Sequence, residues 1–184
     1  MDHPHLLDLS RVLGDAGLVP FRFDFPYREQ GRKFPDKMPV LVESFRESAD
    51  RIRKREKPGF LILAGHSMGA RAAVALAAEA YPCRGVILFS YPLHPPGHPE
   101  KLRLDNMDLP VPVLSLSGTR DPFCTPALMD KAVKALGRRP AGQRWTHHWL
   151  EGADHGLKVA KNTGLTRQDA LAEAGEAIRS WLEE

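Results

Sequence analysis

Cysteine is scarce in this sequence, and long apolar runs are missing from it. Only Cys83 and Cys124 occur among 184 residues, and they lie far apart along the chain. A lone pair in a chain of this length indicates reduced thiols rather than a disulfide framework. No stretch reaches the roughly 20 apolar residues of a membrane span, and residues 1–4 (MDHP) do not begin a signal peptide. The sequence therefore predicts a cytoplasmic protein with no membrane partner.

A strong excess of one charge is also missing. The 26 Lys and Arg residues exceed the 23 Asp and Glu residues by only three, a formal charge of +3. The one basic run, residues 51–57 (RIRKREK), has the pattern of a solvated helix end. We therefore expect no nucleic-acid partner. Because 42% of the residues are hydrophobic, the chain can bury a core, and we expect one domain over residues 1–184. The composition gives no indication of an oligomeric state.

The most informative stretch is residues 60–80 (FLILAGHSMGARAAVALAAEA). Residues 60–64 form an apolar run that suits a buried strand, and an alanine-rich helical pattern begins at Met68. Between them lies Gly65-His66-Ser67-Met68-Gly69, a G-x-S-x-G motif in the strand–turn–helix setting of a nucleophile elbow. Such a turn holds its serine in a strained conformation at the start of a helix. We expect glycine at 65 and 69 because a Cβ at either position would collide with its neighbours.

Strand and helix patterns alternate along the rest of the chain. The predicted strands are residues 18–25 (LVPFRFDF), 60–64, 85–90, 111–117 and 143–150. Thr125 is a predicted helix N-cap, and Thr166 with Asp169 resembles a capping box. Alternation of this kind predicts an α/β fold, with a mainly parallel sheet covered by helices on both faces.

Two strand ends supply the partners that a serine nucleophile needs. A serine hydroxyl requires an imidazole to take its proton and a carboxylate to orient that imidazole. Asp121 follows the strand at 111–117, and His155 follows the last strand. Asp121 precedes a proline and could instead be a turn residue, with Asp105, Asp108 and Asp154 as competing acids, and His155 could be an ordinary loop histidine.

The other histidines are weaker candidates. His66 is expected beside the site rather than as its base, because the elbow directs its side chain away from Ser67. A metal set would combine His94 and His98 with His147 or His148, but these residues lack regular ligand spacing and a supporting cysteine or carboxylate set. We therefore expect neither a metal nor another cofactor.

Several motifs together carry a family resemblance. The segments FRFDFPY, GHSMGAR, YPLHPPG, GTRDPF and GADHGLK resemble a small α/β-hydrolase family that includes dienelactone-hydrolase-like proteins and the hydrolase-like domain of NSL-complex and testis-expressed proteins. The resemblance implies the α/β-hydrolase fold, with Ser67, Asp121 and His155 as a catalytic triad. The backbone N–H of Met68 is expected to bind the oxyanion, and His66, Tyr27, Tyr91 and Leu93 are candidate substrate-lining residues.

The resemblance also predicts a gap. Proteins of this kind begin with strands before the first helix, the last of which leads into a loop that supplies a second oxyanion donor. This sequence begins with MDHP at about the end of that loop. We therefore expect an N-terminally truncated version of the fold, with Met1 an internal methionine or a truncation point. Loss of one oxyanion donor would lower the rate by about 10²–10³.

Two functions are compatible with these patterns. The first is a serine hydrolase acting on a carboxylic ester or thioester of a small to medium acyl group. The second is a catalytically weak interaction protein that retains the fold as a scaffold. The complete Ser, Asp and His set favours the first, whereas the expected loss of a strand motivates the second.

Overall fold

A parallel sheet of four strands forms the centre of the computed structural model, which describes residues 3–104, 107–137 and 145–184. The strands lie side by side in chain order, and each neighbouring pair is parallel. They are β1 (Ile62–His66), β2 (Gly85–Phe89), β3 (Val113–Gly118) and β4 (Trp145–Leu150). Because all four run in one direction, their carboxyl ends meet at one edge of the sheet.

Six α-helices and a short 3₁₀ turn, Lys161–Thr163, account for the other regular structure of the described residues. Two of the helices begin as their sequences predict. Thr125 Oγ1 accepts a hydrogen bond from the N–H of Leu128, and Thr166 forms a reciprocal capping box with Asp169. The helices are α1 (Pro4–Asp15), α2 (Pro26–Glu29), α3 (Met38–Glu56), α4 (Met68–Ala78), α5 (Pro126–Leu136) and α6 (Arg167–Glu183).

Helices cover both faces of the sheet, as the alternation of patterns predicts. On β2, Val86 and Leu88 point to one face and Ile87 and Phe89 to the other, because successive side chains of a strand alternate. The first face packs against α3, α4 and α5, and the second packs against α1 and α6. The predicted fold class, a mainly parallel α/β sheet between helices, is confirmed.

The predicted strand at residues 18–25 is wrong. This segment forms no strand, and β1 pairs only with β2 among the described residues. The alternating phenylalanines arise from packing: Phe23 and Phe25 rest on the core with ring centroids 5.2 Å apart, while Phe21 is 43% exposed. Alternation of apolar residues is not sufficient for a strand, which also needs a neighbouring strand to pair with its backbone N–H and C=O groups.

The other strand predictions differ from the structure mainly at their ends. β1 begins and ends two residues later than predicted, so that it includes Gly65 and His66. Residues 143 and 144 of the last predicted strand lie outside the described residues. Within the described residues, no helix is both long and apolar enough to span a bilayer.

Candidate active site

Ser67 occupies the sharp turn between β1 and α4. Its backbone has φ 51° and ψ −106°, in the left-handed half of conformational space that a residue with a side chain rarely adopts. The turn is held from the neighbouring strand, because the N–H of Ser67 donates to the carbonyl oxygen of Phe89 at 3.0 Å. The strained turn that the G-x-S-x-G motif predicts is therefore present.

The two glycines of the motif have different roles. A Cβ on Gly65 would lie 2.3 Å from the carbonyl carbon of Gly69, a contact that backbone atoms cannot relieve. A Cβ on Gly69 would meet no heavy atom within 4 Å beyond the backbone of its own helix. The prediction of a collision is confirmed for Gly65 and wrong for Gly69. The backbone of Gly69 is what a side chain at position 65 would strike, whereas a side chain at position 69 would point into open space.

Asp121 lies in the loop after β3, and its side chain is fully buried. Its two carboxylate oxygens each accept one hydrogen bond. Oδ2 accepts from His155 Nδ1 at 2.8 Å, and Oδ1 accepts from the N–H of Phe123 at 2.8 Å. These bonds offset part of the cost of burying the carboxylate and fix the direction in which it points.

His155 joins Asp121 to Ser67. Its Nε2 lies 2.9 Å from Ser67 Oγ, and its side chain is 25% exposed. Because the carboxylate of Asp121 only accepts, the neutral imidazole carries its proton on Nδ1, which leaves the lone pair of Nε2 facing the serine hydroxyl. The structure thus places the three predicted residues in one chain of hydrogen bonds.

Two residues that the sequence reading missed support this arrangement. Gly118 ends β3, where a Cβ would lie 2.0 Å from the carbonyl oxygen of Ala153, so only glycine lets the loop bearing His155 pass this close. The ring of Phe123 packs edge-on against the ring of His155 at 4.9 Å. The motif GTRDPF contains both residues, but sequence alone does not show that they contact the last loop.

Met68 is the first residue of α4, so its backbone N–H has no acceptor within the helix. This amide follows Ser67 directly and lies at the positive end of the helix dipole. Its side chain is half-buried, and its sulfur is 3.6 Å from Arg71 Nη1. The amide is thus placed as the predicted oxyanion donor requires, whereas the binding role itself stays a prediction.

The candidate substrate-lining residues have different surroundings. His66 is half-buried, with Nε2 3.0 Å from the carbonyl oxygen of His155. Tyr27 is half-buried and stacks on Phe25 at 6.4 Å. Tyr91 and Leu93 are buried in the core, 2% and 0% exposed, and neither offers an open surface to a substrate in this conformation. The substrate-lining role of all four residues stays a prediction.

Among the competing acids, Asp154 is occupied elsewhere. Its Oδ1 accepts hydrogen bonds from the backbone N–H groups of Gly156 and Lys158, at 2.8 and 2.9 Å, and so shapes the loop of His155 without contacting the His155 ring through a hydrogen bond. Asp105 lies outside the described residues. Asp121 is the predicted acid for which the described residues show a hydrogen bond to His155.

Two of the histidines considered as metal ligands contact other groups. His94 lies between the carbonyl oxygens of Pro95 and Pro122, and His148 contacts Glu173. In the ranges that the structure describes, no three His, Cys, Asp or Glu side chains are grouped as metal ligands.

Cys124 is buried, and burial raises the pKa of its thiol to about 12, so the thiol lacks the ionised form that a nucleophile needs.

Comparison with known proteins identifies the family. The family model described as "Alpha/beta hydrolase domain" matches residues 1–183, so the chain belongs to the α/β-hydrolase domain family. Among solved structures, an α/β serine hydrolase homologue from Coxiella burnetii superposes with a TM-score of 0.75 at 18% identity, covering 99% of this chain and 77% of that chain. A serine hydrolase described as lacking a lid, from Xanthomonas campestris, gives 0.74 at 21% identity, with coverage of 98% and 75%.

Two further relatives are informative. The esterase domain of a Rhodothermus marinus protein gives a TM-score of 0.64 at 21% identity, over 96% of this chain and 78% of that chain. Erythronolide synthase EryA3 of Saccharopolyspora erythraea is 28% identical over 97% of this chain, but the chain spans only 5% of that protein's length. The predicted α/β-hydrolase fold and family are confirmed, whereas the narrower likeness to NSL-complex or dienelactone-hydrolase-like proteins is not shown.

Proposed function

We propose that this protein is a serine hydrolase that cleaves a carboxylic ester or thioester through Ser67, His155 and Asp121. The observation that carries the proposal is the continuous chain of contacts from Ser67 Oγ to His155 Nε2, at 2.9 Å, and from His155 Nδ1 to Asp121, at 2.8 Å. The family and the esterase among the structural neighbours support it.

The first half of the proposed reaction forms an acyl-enzyme. Ser67 Oγ attacks the acyl carbonyl carbon while its proton passes to His155 Nε2, and buried Asp121 stabilises the resulting imidazolium. The backbone N–H of Met68 donates to the oxyanion of the tetrahedral intermediate. When that intermediate collapses, the bond to the leaving alcohol or thiol breaks, and His155 returns the proton to the leaving group.

The second half releases the acid. A water molecule gives a proton to His155 Nε2 and attacks the acyl carbon, and the new tetrahedral intermediate collapses when Ser67 Oγ leaves and takes the proton back. No group other than water and the ester is consumed. The arrangement therefore needs no cofactor for this chemistry.

A small to medium acyl group is the proposed substrate class. The sequence carries no lid-sized insertion between its strands, and one structural neighbour is itself described as lacking a lid. A long lipid chain needs a covered apolar channel. The segments between the strands of this protein are too short to build such a cover. The alternative of a non-catalytic scaffold is not favoured, because a scaffold does not need a serine, a histidine and an aspartate in hydrogen-bonded order.

Hydrolysis of p-nitrophenyl acetate, butyrate, octanoate and palmitate tests the proposal. We expect turnover of the short esters, little turnover of palmitate, and loss of turnover in Ser67→Ala. Turnover that persists in a folded Ser67→Ala protein would contradict the role of Ser67. Absence of turnover with every ester and with the matching acyl thioesters would contradict the substrate class.

A further inference from the structure

The backbone of His155 is hydrogen-bonded to the end of β1, the strand that leads into Ser67. His66, the last residue of β1, places Nε2 3.0 Å from the carbonyl oxygen of His155. A carbonyl oxygen carries no proton, so His66 Nε2–H must be the donor, and this fixes the tautomer of the His66 ring. Among the described residues, two hydrogen bonds therefore join the elbow to the loop of His155. One links Ser67 to the His155 ring, and the other links the His66 ring to the His155 backbone.

The surroundings of His66 favour its neutral form. Burial lowers the pKa of its imidazole, although the bond to the His155 carbonyl acts in the opposite direction. Neutrality suits the proposed reaction, because His155 becomes positively charged when it takes the proton of Ser67. The centroids of the two rings are only 5.5 Å apart, and a second positive charge there would oppose that step.

A second ring also packs against His66. The ring of His5, in the first turn of α1, packs edge-on against it with centroids 4.4 Å apart. His5 Nδ1 accepts a hydrogen bond from Arg167 Nη2 at 2.9 Å, and Arg167 forms an ion pair with Asp8. Contacts between α1 and α6 therefore fix the His5 ring, which in turn limits how far the His66 ring can turn.

We infer that His66 is a positioning residue, which holds the backbone of His155 so that Nε2 stays aligned with Ser67 Oγ. This inference rests on the proposed function of Ser67 and His155. It gives His66 the role of aligning the general base, His155, instead of the predicted role of lining the substrate site. A reacting pair loses rate steeply when it is misaligned, about 10²-fold for a displacement of 1 Å.

Two amide substitutions at the same position give a matched test. In His66→Gln the side-chain amide reaches about as far as Nε2 does and can still donate to the His155 carbonyl, whereas in His66→Asn it is too short. His98→Asn, at an exposed histidine whose ring contacts Glu100, serves as the substitution control. Inactivation by a fluorophosphonate separates kinact, which reports alignment of the base, from KI, which reports probe binding.

We expect kinact to fall about tenfold in His66→Asn with KI unchanged, and to stay near the wild-type value in His66→Gln and His98→Asn. Hydrogen exchange of residues 152–160 should rise in His66→Asn alone, because the loop loses its bond to β1. A folded His66→Asn protein with wild-type kinact and exchange would overturn the inference. A rise in KI with kinact unchanged would also overturn it, and would restore the substrate-lining role.

Failure of the proposed function gives a different result. If the wild-type protein does not react with the probe, the role of Ser67 fails, but the exchange measurement still decides the role of His66. Increased exchange in His66→Asn with protection restored in His66→Gln would then support the positioning contact. Equal exchange in both would overturn it.

Discussion

His155 Nε2 lies 2.9 Å from Ser67 Oγ, although the two residues are 88 positions apart in the chain. The contact follows from the topology: Ser67 comes after β1 and His155 comes after β4, and parallel strands bring their carboxyl ends to one edge of the sheet. Asp121, after β3, joins them at the same edge.

Replacing Asp121 with asparagine should lower kcat for a short ester by about 10³–10⁴. The amide can still accept from the N–H of Phe123, so the loop keeps its shape. It cannot stabilise a positive imidazole, and it no longer favours the Nδ1–H tautomer of His155. Steady-state kinetics with p-nitrophenyl butyrate measures the loss, and thermal unfolding checks that the variant is folded.

Asp154→Asn is the matched control for that substitution. The amide oxygen of the introduced asparagine can accept the same two backbone N–H bonds that Asp154 accepts, and no hydrogen bond joins Asp154 to the His155 ring. We expect activity within a few-fold of the wild type. A loss as large as that of Asp121→Asn would show that Asp154 acts as the acid.

Substitution of the two elbow glycines should have opposite effects on stability. Gly65→Ala places a methyl group 2.3 Å from the Gly69 backbone, and we expect the free energy of unfolding to fall by about 3 kcal/mol or more. Gly69→Ala meets open space and removes a glycine from α4, which should stabilise the protein by about 0.5–1 kcal/mol. Urea unfolding of both variants measures the difference, and equal effects would contradict the elbow geometry.

Stability should fall as the pH is lowered from neutrality, partly because of His147. Burial, with a smaller contribution from His148, lowers the pKa of His147 from its ordinary value of 6.5 to about 4. Both ring nitrogens of His147 lack a hydrogen-bond partner among the described residues. Between pH 6.5 and 4 the unfolded chain therefore binds a proton that the folded chain excludes. The free energy of unfolding should decrease by up to about 1.4 kcal/mol per pH unit for this group.

His147→Leu isolates that contribution. We expect the variant to lose less stability than the wild type between pH 7 and pH 4.5, because it has no imidazole to protonate at this position. His5, whose pKa burial also lowers to about 4, should keep part of the pH dependence in both proteins. Urea unfolding across this pH range gives the comparison, and identical pH dependence in the two proteins would show that His147 is not the source.

Local patterns were sufficient to predict most of the fold. The apolar runs and capping residues of α5 and α6 predict elements that the structure contains, because these signals act within a few residues. The G-x-S-x-G motif predicts the strained conformation of Ser67, which depends on the turn alone. The approach of Asp121 and His155 to one sheet edge follows from their positions after predicted strands.

What the sequence could not show depends on contacts between distant segments. The alternating phenylalanines at residues 18–25 predict a strand, but alternation does not reveal whether a neighbouring strand is present to pair with it. The need for glycine at 118 arises from Ala153, which belongs to another loop. Likewise, the bond from His66 to the His155 carbonyl joins residues that no local pattern connects.

The most direct measurement is covalent labelling by a fluorophosphonate, with the modified residue located by peptide mass spectrometry. We expect the wild-type protein to be labelled at Ser67, Ser67→Ala to stay unlabelled, and His155→Ala to react far more slowly although Ser67 remains. Labelling at another residue would contradict the account. So would a folded wild-type protein that stays unmodified while an active serine hydrolase reacts beside it.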